Sequence, residues 1–557
     1  MTNDQTTTAP PKARGRRHAE RGRQATPAAR LAVAALIDQP PRRDRLLEYL
    51  HRLQDARGAI TADALAALAE VMRLPLAEVY EVATFYAHLD VITDPAAVPP
   101  RLTVRVCDSV SCALAGAEAL YSELRGALPP GVRVLRASCM GRCDAAPVVE
   151  VGRRHVTRAD VPRIAAMLDG PAPAPVPGPR PEPLTTEDYR VLRRCLSGGL
   201  SREDATARVE DSGLRGLGGA GFPAARKWQF VRRELGPRYL AVNADEGEPG
   251  TFKDRHYLEA APRTFLEGVL IAAWVIDAEA VYIYLRDEYP HLHEALRREL
   301  ALLDGLRLRL PPIELRRGAG AYICGEESAM LESLEGKRGL PRHRPPYPAQ
   351  VGLFGRPTLI HNVETLYWLP AILDRSAEAF RAGGRRGRHG LRTFSVSGRV
   401  KDPGVKLAPA GISVRELIEE FCGGMQDGHT FVAYLPGGAS GGILPATLGD
   451  EPLDFGTLEQ HGAFIGSAAI VVLSQQDSVR EVAVNLMKFF AHESCGQCSP
   501  CRLGTEKAVP LMEESRWDRA ALEDLARVLQ DASICGLGQA AANPILSVLR
   551  HFPGAVS

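Results

Sequence analysis

Eight of the 11 cysteines in this 557-residue chain fall into two groups. The groups are Cys107, Cys112, Cys139 and Cys143, and then Cys495, Cys498, Cys501 and Cys535. A disulfide scaffold would be far denser in cysteine. Two separate groups of four therefore indicate two metal or cluster sites in a reducing compartment. We expect two of the remaining cysteines, Cys195 and Cys422, to be ordinary buried thiols.

The first group lies on two loops that follow predicted strands, 102–106 and 132–135, with a helix predicted over 113–128 between them. Its spacing is C-x4-C and then C-x3-C. Four thiolates at one pole of a sheet suit an iron–sulfur cluster or structural zinc. The wide gaps favour a [2Fe–2S] cluster, and zinc stays as the alternative.

The second group places three cysteines of the segment CGQCSPC (495–501) on one tight turn, with Cys535 as the natural fourth ligand. Consecutive sulfurs at two-residue gaps can bind three irons of a cube. This pattern favours a [4Fe–4S] cluster, with zinc again the alternative.

A glycine loop, Gly216-x-Gly218-x-x-Gly221, can let the backbone approach a phosphate. A helix is predicted upstream, at 203–209, where a standard dinucleotide fold has a strand, and a purely structural glycine turn is the alternative. Carboxylate-rich turns at 243–250 and 318–328 can bind ribose hydroxyls or flavin nitrogens, unless they are solvated faces.

Composition narrows the class of protein. The chain has 68 Lys and Arg against 67 Asp and Glu, a net charge of +1, which argues against nucleic acid or an anionic membrane as the main partner. The longest apolar run, 265–285, contains three acidic residues and predicts no membrane span. Arg16-Arg17 raises an export signal as an alternative, but the apolar stretch 31–37 is too short for one. We expect a cytoplasmic protein without direct membrane insertion.

Two parts of the chain resemble subunits of respiratory complex I. Residues 27–170 resemble its thioredoxin-like [2Fe–2S] subunit, the 24-kDa type, in both cysteine pairs and in EVATFYAH (81–88). Residues from about 205 to the end resemble its flavoprotein subunit, the 51-kDa type. The matching segments are GLRGLGGAGFP, NADEGEPGTFKDR, GAGAYICGEES, EGKRGLPRHRPPYPAQVGLFGRPTLIHNVETL and ESCGQCSPCR. The resemblance implies FMN, NAD(H), one [2Fe–2S] cluster and one [4Fe–4S] cluster as cofactors.

The expected fold is therefore α/β and multidomain, with a proline-rich spacer as the clearest boundary. The expected domains are a disordered basic tail (1–26), a helical bundle (27–98), a thioredoxin-like [2Fe–2S] domain (99–170), a Pro-rich linker (171–185), a Rossmann-like FMN- and NADH-binding α/β domain (186–390), a small β-grasp-like domain (391–476) and a C-terminal helical [4Fe–4S] bundle (477–557).

The resemblance also implies the binding residues. Those for the flavin are Gly216, Gly218, Gly219, Gly221, Lys227, Asn243, Asp245, Glu246, Tyr322, Gly325, Glu326, Asn362 and Thr365. Those for NADH are Phe222, Phe230, Glu248, Glu327 and Tyr347. Leu217, Tyr347 and His361 depart from the usual arginine, phenylalanine and asparagine, and His361 puts one flavin contact in doubt. Hydride transfer needs no side-chain acid or base, so no catalytic residue is predicted.

As a whole, the chain resembles the β (diaphorase) subunits of molybdenum- or tungsten-containing NAD-dependent formate dehydrogenases, including at 396–410 and 434–445. This implies a Mo/W-pterin formate dehydrogenase α subunit as partner, with electrons passing through clusters and FMN to NAD⁺. The alternative is the same module in a NAD-linked hydrogenase or a complex-I-like NADH:quinone oxidoreductase. A non-enzymatic iron–sulfur scaffold is a third hypothesis, which flavin absorbance on purification would eliminate.

Overall fold

The computed structural model describes residues 23–94, 100, 102–168 and 181–557. Most of the predicted tail and of the proline-rich spacer lies outside the described residues. Within the described part, no helix is long and apolar enough to cross a membrane.

The N-terminal part is a helical bundle with one short parallel strand pair. Its elements are α1 (Pro27–Ala34), α2 (Leu46–Arg57), β1 (Ile60–Thr61), α3 (Ala62–Met72), α4 (Leu76–Phe85) and β2 (Val91–Ile92). The bundle begins before residue 27, within the segment predicted as tail. Ala25 is buried, and Thr26 caps α1 and hydrogen-bonds to Asp63 of α3. Ala25 and Thr26 are therefore part of the folded bundle.

The next part is a four-stranded sheet in the order β4-β3-β5-β6, with β3 and β4 parallel. Its elements are β3 (Leu102–Cys107), α5 (Val110–Leu114), α6 (Ala117–Ala127), β4 (Val132–Ala137), β5 (Val148–Val151), β6 (Arg154–Thr157) and α7 (Val161–Ala165). The prediction of one helix over 113–128 was wrong. Gly116 adopts a left-handed φ of 85°, which only glycine takes readily, and separates two helices.

The central part is a parallel sheet in the order β10-β7-β8-β9, flanked by helices. Its elements are α8 (Arg190–Leu196), α9 (Arg202–Ser212), α10 (Ala224–Arg233), β7 (Arg238–Ala244), α11 (Lys253–Ala260), α12 (Pro262–Ile276), β8 (Ala278–Leu285), α13 (Pro290–Leu302), β9 (Ile313–Arg317), α14 (Glu327–Leu334), β10 (Thr358–Asn362), α15 (Val363–Asp374) and α16 (Ala377–Arg381). The carboxyl ends of parallel strands meet at one edge. Segments 243–250, 318–328 and 362–365 end or follow β7, β9 and β10, so this topology brings them together.

The C-terminal third begins with a mixed sheet in the order β12-β11-β15-β13-β14 and ends in helices. Its elements are β11 (Leu391–Gly398), β12 (Gly404–Pro409), α17 (Val414–Glu416), β13 (Phe431–Leu435), β14 (Leu444–Pro445), β15 (Ala469–Ser474), α18 (Val479–Glu493), α19 (Ser499–Glu513), α20 (Arg519–Ala532), α21 (Gly536–Ala540) and α22 (Asn543–His551). The second cysteine group lies on these last helices.

A buried carboxylate joins three of these parts. Asp287, just after β8, is 1% exposed and accepts hydrogen bonds from His88 (2.8 Å) of the N-terminal part and Arg153 (2.8 Å) of the β3–β6 part. Arg317, at the end of β9, adds a third contact at 2.6 Å. Burial alone would raise the pKa of Asp287, but Arg153 and Arg317 hold it well below its usual range. The ion cluster thus fixes the N-terminal parts against the central sheet.

Candidate functional site

The glycine loop is a closed turn between α9 and α10, and no strand precedes it, as predicted. The Gly216 amide donates to the Phe222 carbonyl at 2.8 Å, and the Gly221 amide donates to the Gly216 carbonyl at 3.2 Å. The Leu217 amide donates to Thr365 Oγ1 at 2.9 Å. The first and last glycines and Thr365 therefore shape the loop, while its middle faces a cavity.

Gly221 is the position of this loop that least tolerates a side chain. Its φ is +64°, and an added Cβ would lie 2.6 Å from the ring of buried Phe455. Overpacking of this kind costs about 1–3 kcal/mol. We expect Gly221→Ala to weaken FMN binding by about tenfold or more, measured by flavin fluorescence on titrating apoprotein. Gly126→Ala, in a helix with open space around it, is the control, and equal FMN affinity in both variants would contradict the expectation.

A cavity of about 330 Å³ lies between the glycine loop and the carboxyl edge of the central sheet. The predicted residues that line it are Gly218, Gly219, Asn243, Asp245, Glu246, Glu248, Tyr322, Gly325, Glu326 and Asn362. Lining residues that sequence reasoning missed include Thr251, Lys253, Asp254, Ser440, Phe464, Ser467 and Leu537. The three sequence motifs thus converge on one site.

The polar groups of the cavity suit a planar heterocycle with several nitrogen and oxygen atoms. Asp245 Oδ2 is buried without a hydrogen-bond partner among the described residues, and burial raises the pKa of this carboxyl well above its usual value. Asn243 is held by the Gly325 carbonyl (2.8 Å) and the Asp245 amide (3.1 Å). An unpaired carboxyl beside glycine-lined walls fits the flavin of FMN.

A buried lysine at the cavity wall is paired with two carboxylates. Lys253 is 1% exposed, and its Nζ lies 2.8 Å from Asp254, 2.9 Å from Glu364 and 3.4 Å from Asn362 Oδ1. The Glu246 carboxylate accepts hydrogen bonds from the backbone amides of Asp254 (2.7 Å) and Arg255 (3.1 Å). Its carboxylate therefore positions the start of α11.

Glu248 and Tyr322 form the opposite wall. The Tyr322 hydroxyl donates to Glu248 Oε2, while the Ser440 amide donates to Oε1 at 2.7 Å. Burial raises the pKa of Glu248, although these hydrogen bonds oppose the shift. Since Ser440 belongs to the β13–β14 loop, the β11–β15 sheet closes this side of the cavity.

The predicted NADH-stacking residues lie outside the cavity and are accessible. Phe222, Phe230 and Tyr347 are 39%, 42% and 54% exposed, and the two phenylalanine rings lie 6.1 Å apart. Nearby, Glu327 lies 3.4 Å from Lys227 Nζ and 3.2 Å from Arg344. Exposed aromatic faces beside an ion cluster are chemically suited to a nucleotide, and stacking remains a prediction for these residues.

The histidine that departs from the family pattern has a structural explanation. His361 is buried, and its Nε2 accepts a hydrogen bond from the Trp228 indole at 2.9 Å. Burial, aided by nearby Lys227, lowers the pKa of His361 to about 3. The ring is therefore neutral and held by Trp228.

All four cysteines of the first group are buried and close together. Cys107 ends β3, Cys112 lies in α5, and the sulfurs of Cys139 and Cys143 are 3.3 Å apart. The sulfur of Cys107 is within hydrogen-bonding contact of those of Cys112 and Cys139. Phe252, from the loop before α11, packs against Cys139 and Cys143.

The cysteines of the second group lie at helix starts. Cys498 caps α19, Cys501 lies in its first turn, and Cys535 caps α21. Cys495 and Cys535 interact electrostatically, as do Cys495 and Cys501.

Glu493, at the end of α18, connects both cysteine groups with the cavity. Its Oε2 accepts a hydrogen bond from the Tyr322 amide at 3.0 Å, and its Oε1 accepts one from the Ser138 hydroxyl. Ser138 immediately precedes Cys139, and Cys495 follows Glu493 by two residues. Sequence reasoning missed this residue.

Comparisons with known proteins agree with this arrangement. Four family models match: thioredoxin-like [2Fe–2S] ferredoxin (33–171), Nuo51 FMN-binding domain (209–371), SLBB domain (393–444) and NADH-ubiquinone oxidoreductase-F iron–sulfur binding region (481–557). An F-type subunit of the NADH-quinone oxidoreductase of Rhizobium meliloti is 41% identical over 383 residues, 65% of this chain and 90% of that protein. The corresponding F-type subunit of Aquifex aeolicus is 41% identical over 66% of this chain and 87% of its own.

A solved structure matches almost the whole chain. It is the NAD⁺-reducing [NiFe]-hydrogenase in the H₂-reduced state, with TM-score 0.82, 34% identity and 93% coverage of both chains. Fold and site together define an NAD-dependent oxidoreductase subunit that carries FMN, one [2Fe–2S] cluster and one [4Fe–4S] cluster. The chain belongs to the family of F-type subunits of NADH-quinone oxidoreductase, with a thioredoxin-like [2Fe–2S] domain ahead of the F-type part.

The predicted formate dehydrogenase partner finds no support in these relatives. They are NADH-quinone oxidoreductase and hydrogenase subunits, which favours the alternative stated for the partner. The cofactors and the α/β multidomain architecture are confirmed.

Proposed function

We propose that this chain is the diaphorase subunit of an NAD-linked enzyme whose partner subunit oxidises a small reductant. The observation that carries the proposal is the union of both cysteine groups and the flavin cavity in one chain. The hydrogenase chain matches this arrangement over 93% of both lengths, whereas the quinone-oxidoreductase relatives match only about two thirds of this chain.

We assign the ligands by position. Cys107, Cys112, Cys139 and Cys143 hold the [2Fe–2S] cluster, and Cys495, Cys498, Cys501 and Cys535 hold the [4Fe–4S] cluster. Gly218, Gly219 and Asn362 form one wall of the FMN site, and Asn243 and Asp245 offer polar groups from the other. Bound FMN exchanges two electrons with NAD(H) and single electrons with iron–sulfur clusters.

The role we assign to the chain's own residues is to position the FMN and to shield its cavity from solvent. Gly218 and Gly219 leave room for close approach by a phosphate, and buried Lys253 holds Asp254 and Asn362 in place at the cavity wall. Tyr322 and Glu248 close one wall of the cavity against solvent. No described side chain is required to take or give a proton at the reacting carbon.

The nicotinamide site is tested by Glu327→Ala. The Glu327 carboxylate, which lies beside Lys227 and Arg344, is the acceptor we assign to ribose hydroxyls of NADH. A hydrogen bond to a charged group contributes about 1.5–3 kcal/mol, so we expect NADH affinity to fall about ten- to hundredfold with FMN retained. Stopped-flow flavin reduction measures this, with exposed Glu378→Ala as control. Unchanged affinity and rate would place Glu327 outside the NADH site.

Two partners have specific support. The structural match favours a hydrogen-oxidising [NiFe] subunit, and the resemblance at 396–410 and 434–445 favours a formate-oxidising Mo/W subunit. The test is NADH formation by the complex purified natively without oxygen, supplied in turn with hydrogen and with formate. The active reductant identifies the partner. If flavin-loaded protein fails to pass electrons from NADH to an artificial dye, the diaphorase proposal is wrong.

A further inference from the structure

A second, smaller cavity lies against the glycine loop and shares no lining residue with the flavin cavity. Its volume is about 160 Å³. Its lining includes Arg215, Arg388, Arg392 and Asp454. The start of the glycine loop, the segment before β11 and the loop around Asp454 therefore enclose it.

The charges facing this cavity are unbalanced. Three guanidinium groups, those of Arg215, Arg388 and Arg392, face one carboxylate, that of Asp454. Asp454 lies 3.0 Å from Arg392 Nη2 and 3.9 Å from Arg388 Nε. One carboxylate leaves an excess of about two positive charges around the cavity.

Arg392 carries the clearest sign of a missing partner. The residue is 4% exposed, and its Nη1 is buried without a hydrogen-bond partner among the described residues. A buried donor left unpaired is costly, so native structures normally satisfy it. Glu364 also interacts electrostatically with this guanidinium, but it is already paired with Lys253 (2.9 Å) and the Thr393 amide (3.0 Å).

The guanidinium groups are held in place before any ligand arrives. Arg392 and Arg215 stack on the ring of Phe455 at 4.1 and 5.1 Å. Arg388 donates to the Phe455 carbonyl at 3.3 Å. Positioned guanidinium groups bind oxyanions through paired hydrogen bonds.

We propose that this cavity binds a small doubly charged oxyanion, of which hydrogen phosphate and sulfate are examples. Two negative charges match the excess on the arginines, and Arg392 lines the cavity with a guanidinium that Asp454 satisfies only in part. The volume excludes a nucleotide, because pockets for drug-sized molecules measure about 300–1,000 Å³. The proposal does not depend on the identity of the partner subunit.

Occupancy of the site bears on the flavin cavity through Arg215. Its Nε donates to the Gly221 carbonyl at the end of the glycine loop. An anion that holds the Arg215 side chain therefore restrains this turn. We expect bound phosphate to slow FMN release.

The test uses the full chain loaded with FMN, so that the flavin site cannot take the probe. Inorganic phosphate is titrated calorimetrically at constant ionic strength, with sodium chloride as balance. We expect saturable binding to wild type, at least tenfold weaker binding to Arg388→Gln, and sulfate competing with phosphate. Arg388 is chosen because its side chain is 36% exposed, so its loss should spare the fold, as the flavin absorbance of the variant verifies.

The matched control is Arg385→Gln, three residues away and paired at the surface with Glu420. It should bind phosphate like wild type. Absence of saturable binding to wild type, or equal binding to Arg388→Gln, would overturn the site. Formate binding as tightly as phosphate would overturn the assignment to a doubly charged anion.

Discussion

Replacing Cys498 with alanine removes the EPR signal of the reduced [4Fe–4S] cluster and leaves that of the [2Fe–2S] cluster in place. This is the expected result because Cys498 caps α19 between Cys495 and Cys501, and the remote Cys535 interacts electrostatically with Cys495 of the same turn. A cube with one ligand removed loses an iron or fails to assemble. Electron transfer between FMN and a partner subunit should fall with it.

The variant also separates the two halves of the reaction. We assign hydride exchange between NADH and FMN to the flavin cavity, which Cys498 does not line, so reduction of the flavin by NADH should persist. Cys422→Ala is the matched control, since Cys422 is buried, belongs to neither cysteine group and should leave both EPR signals intact when replaced. Loss of the [2Fe–2S] signal in Cys498→Ala would reverse the assignment of the two clusters.

The segments that form the cavity were predictable in part. Asn243 and Asn362 lie near the ends of adjacent parallel strands, β7 and β10, in direct register. Gly325 follows β9, which is two strands away from β7 in the sheet, and its carbonyl accepts a hydrogen bond from Asn243. Strand ends and glycine turns are visible in sequence, whereas their convergence on one site was implied by the resemblance to the flavoprotein subunit.

The missed residues depend on contacts between distant segments. Ser440 closes the cavity through a hydrogen bond to Glu248, 192 positions away. Glu493 reaches Ser138 across 355 positions. Nothing in the local sequence of either residue distinguishes it from a surface residue. Lys253 lies within NADEGEPGTFKDR, one of the segments that carry the resemblance. Its sequence position does not reveal that its charge is buried against Asp254 and Glu364.

Asp287 escaped sequence reasoning for the same reason, yet its replacement should have the largest effect on stability. We expect Asp287→Ala to lower the free energy of unfolding by about 3–5 kcal/mol, the usual cost of breaking a buried ion pair from one side. The change leaves His88, Arg153 and Arg317 without their shared acceptor. Urea denaturation followed by tryptophan fluorescence measures the effect. Asp450→Ala, which breaks a pair with Arg415 at an exposed carboxylate, should cost at most about 1 kcal/mol.

The pH dependence of stability gives an independent check on the same cluster. Burial disfavours the charged form of His88, but Glu288 and the hydrogen bond to Asp287 outweigh it and raise its pKa above the ordinary 6.5. Because the pKa of His88 is raised in the folded state, the stabilisation that protonated His88 contributes is complete below about pH 6.5. This stabilisation is lost as the pH rises through the pKa of His88 in the folded protein. Wild type should therefore lose part of its stability above neutral pH, and Asp287→Ala should lose less over the same interval. If the difference in stability between the two proteins stays constant across that interval, His88 is not charged in the native cluster, and Asp287 then stabilises the domain junction through its two arginines alone.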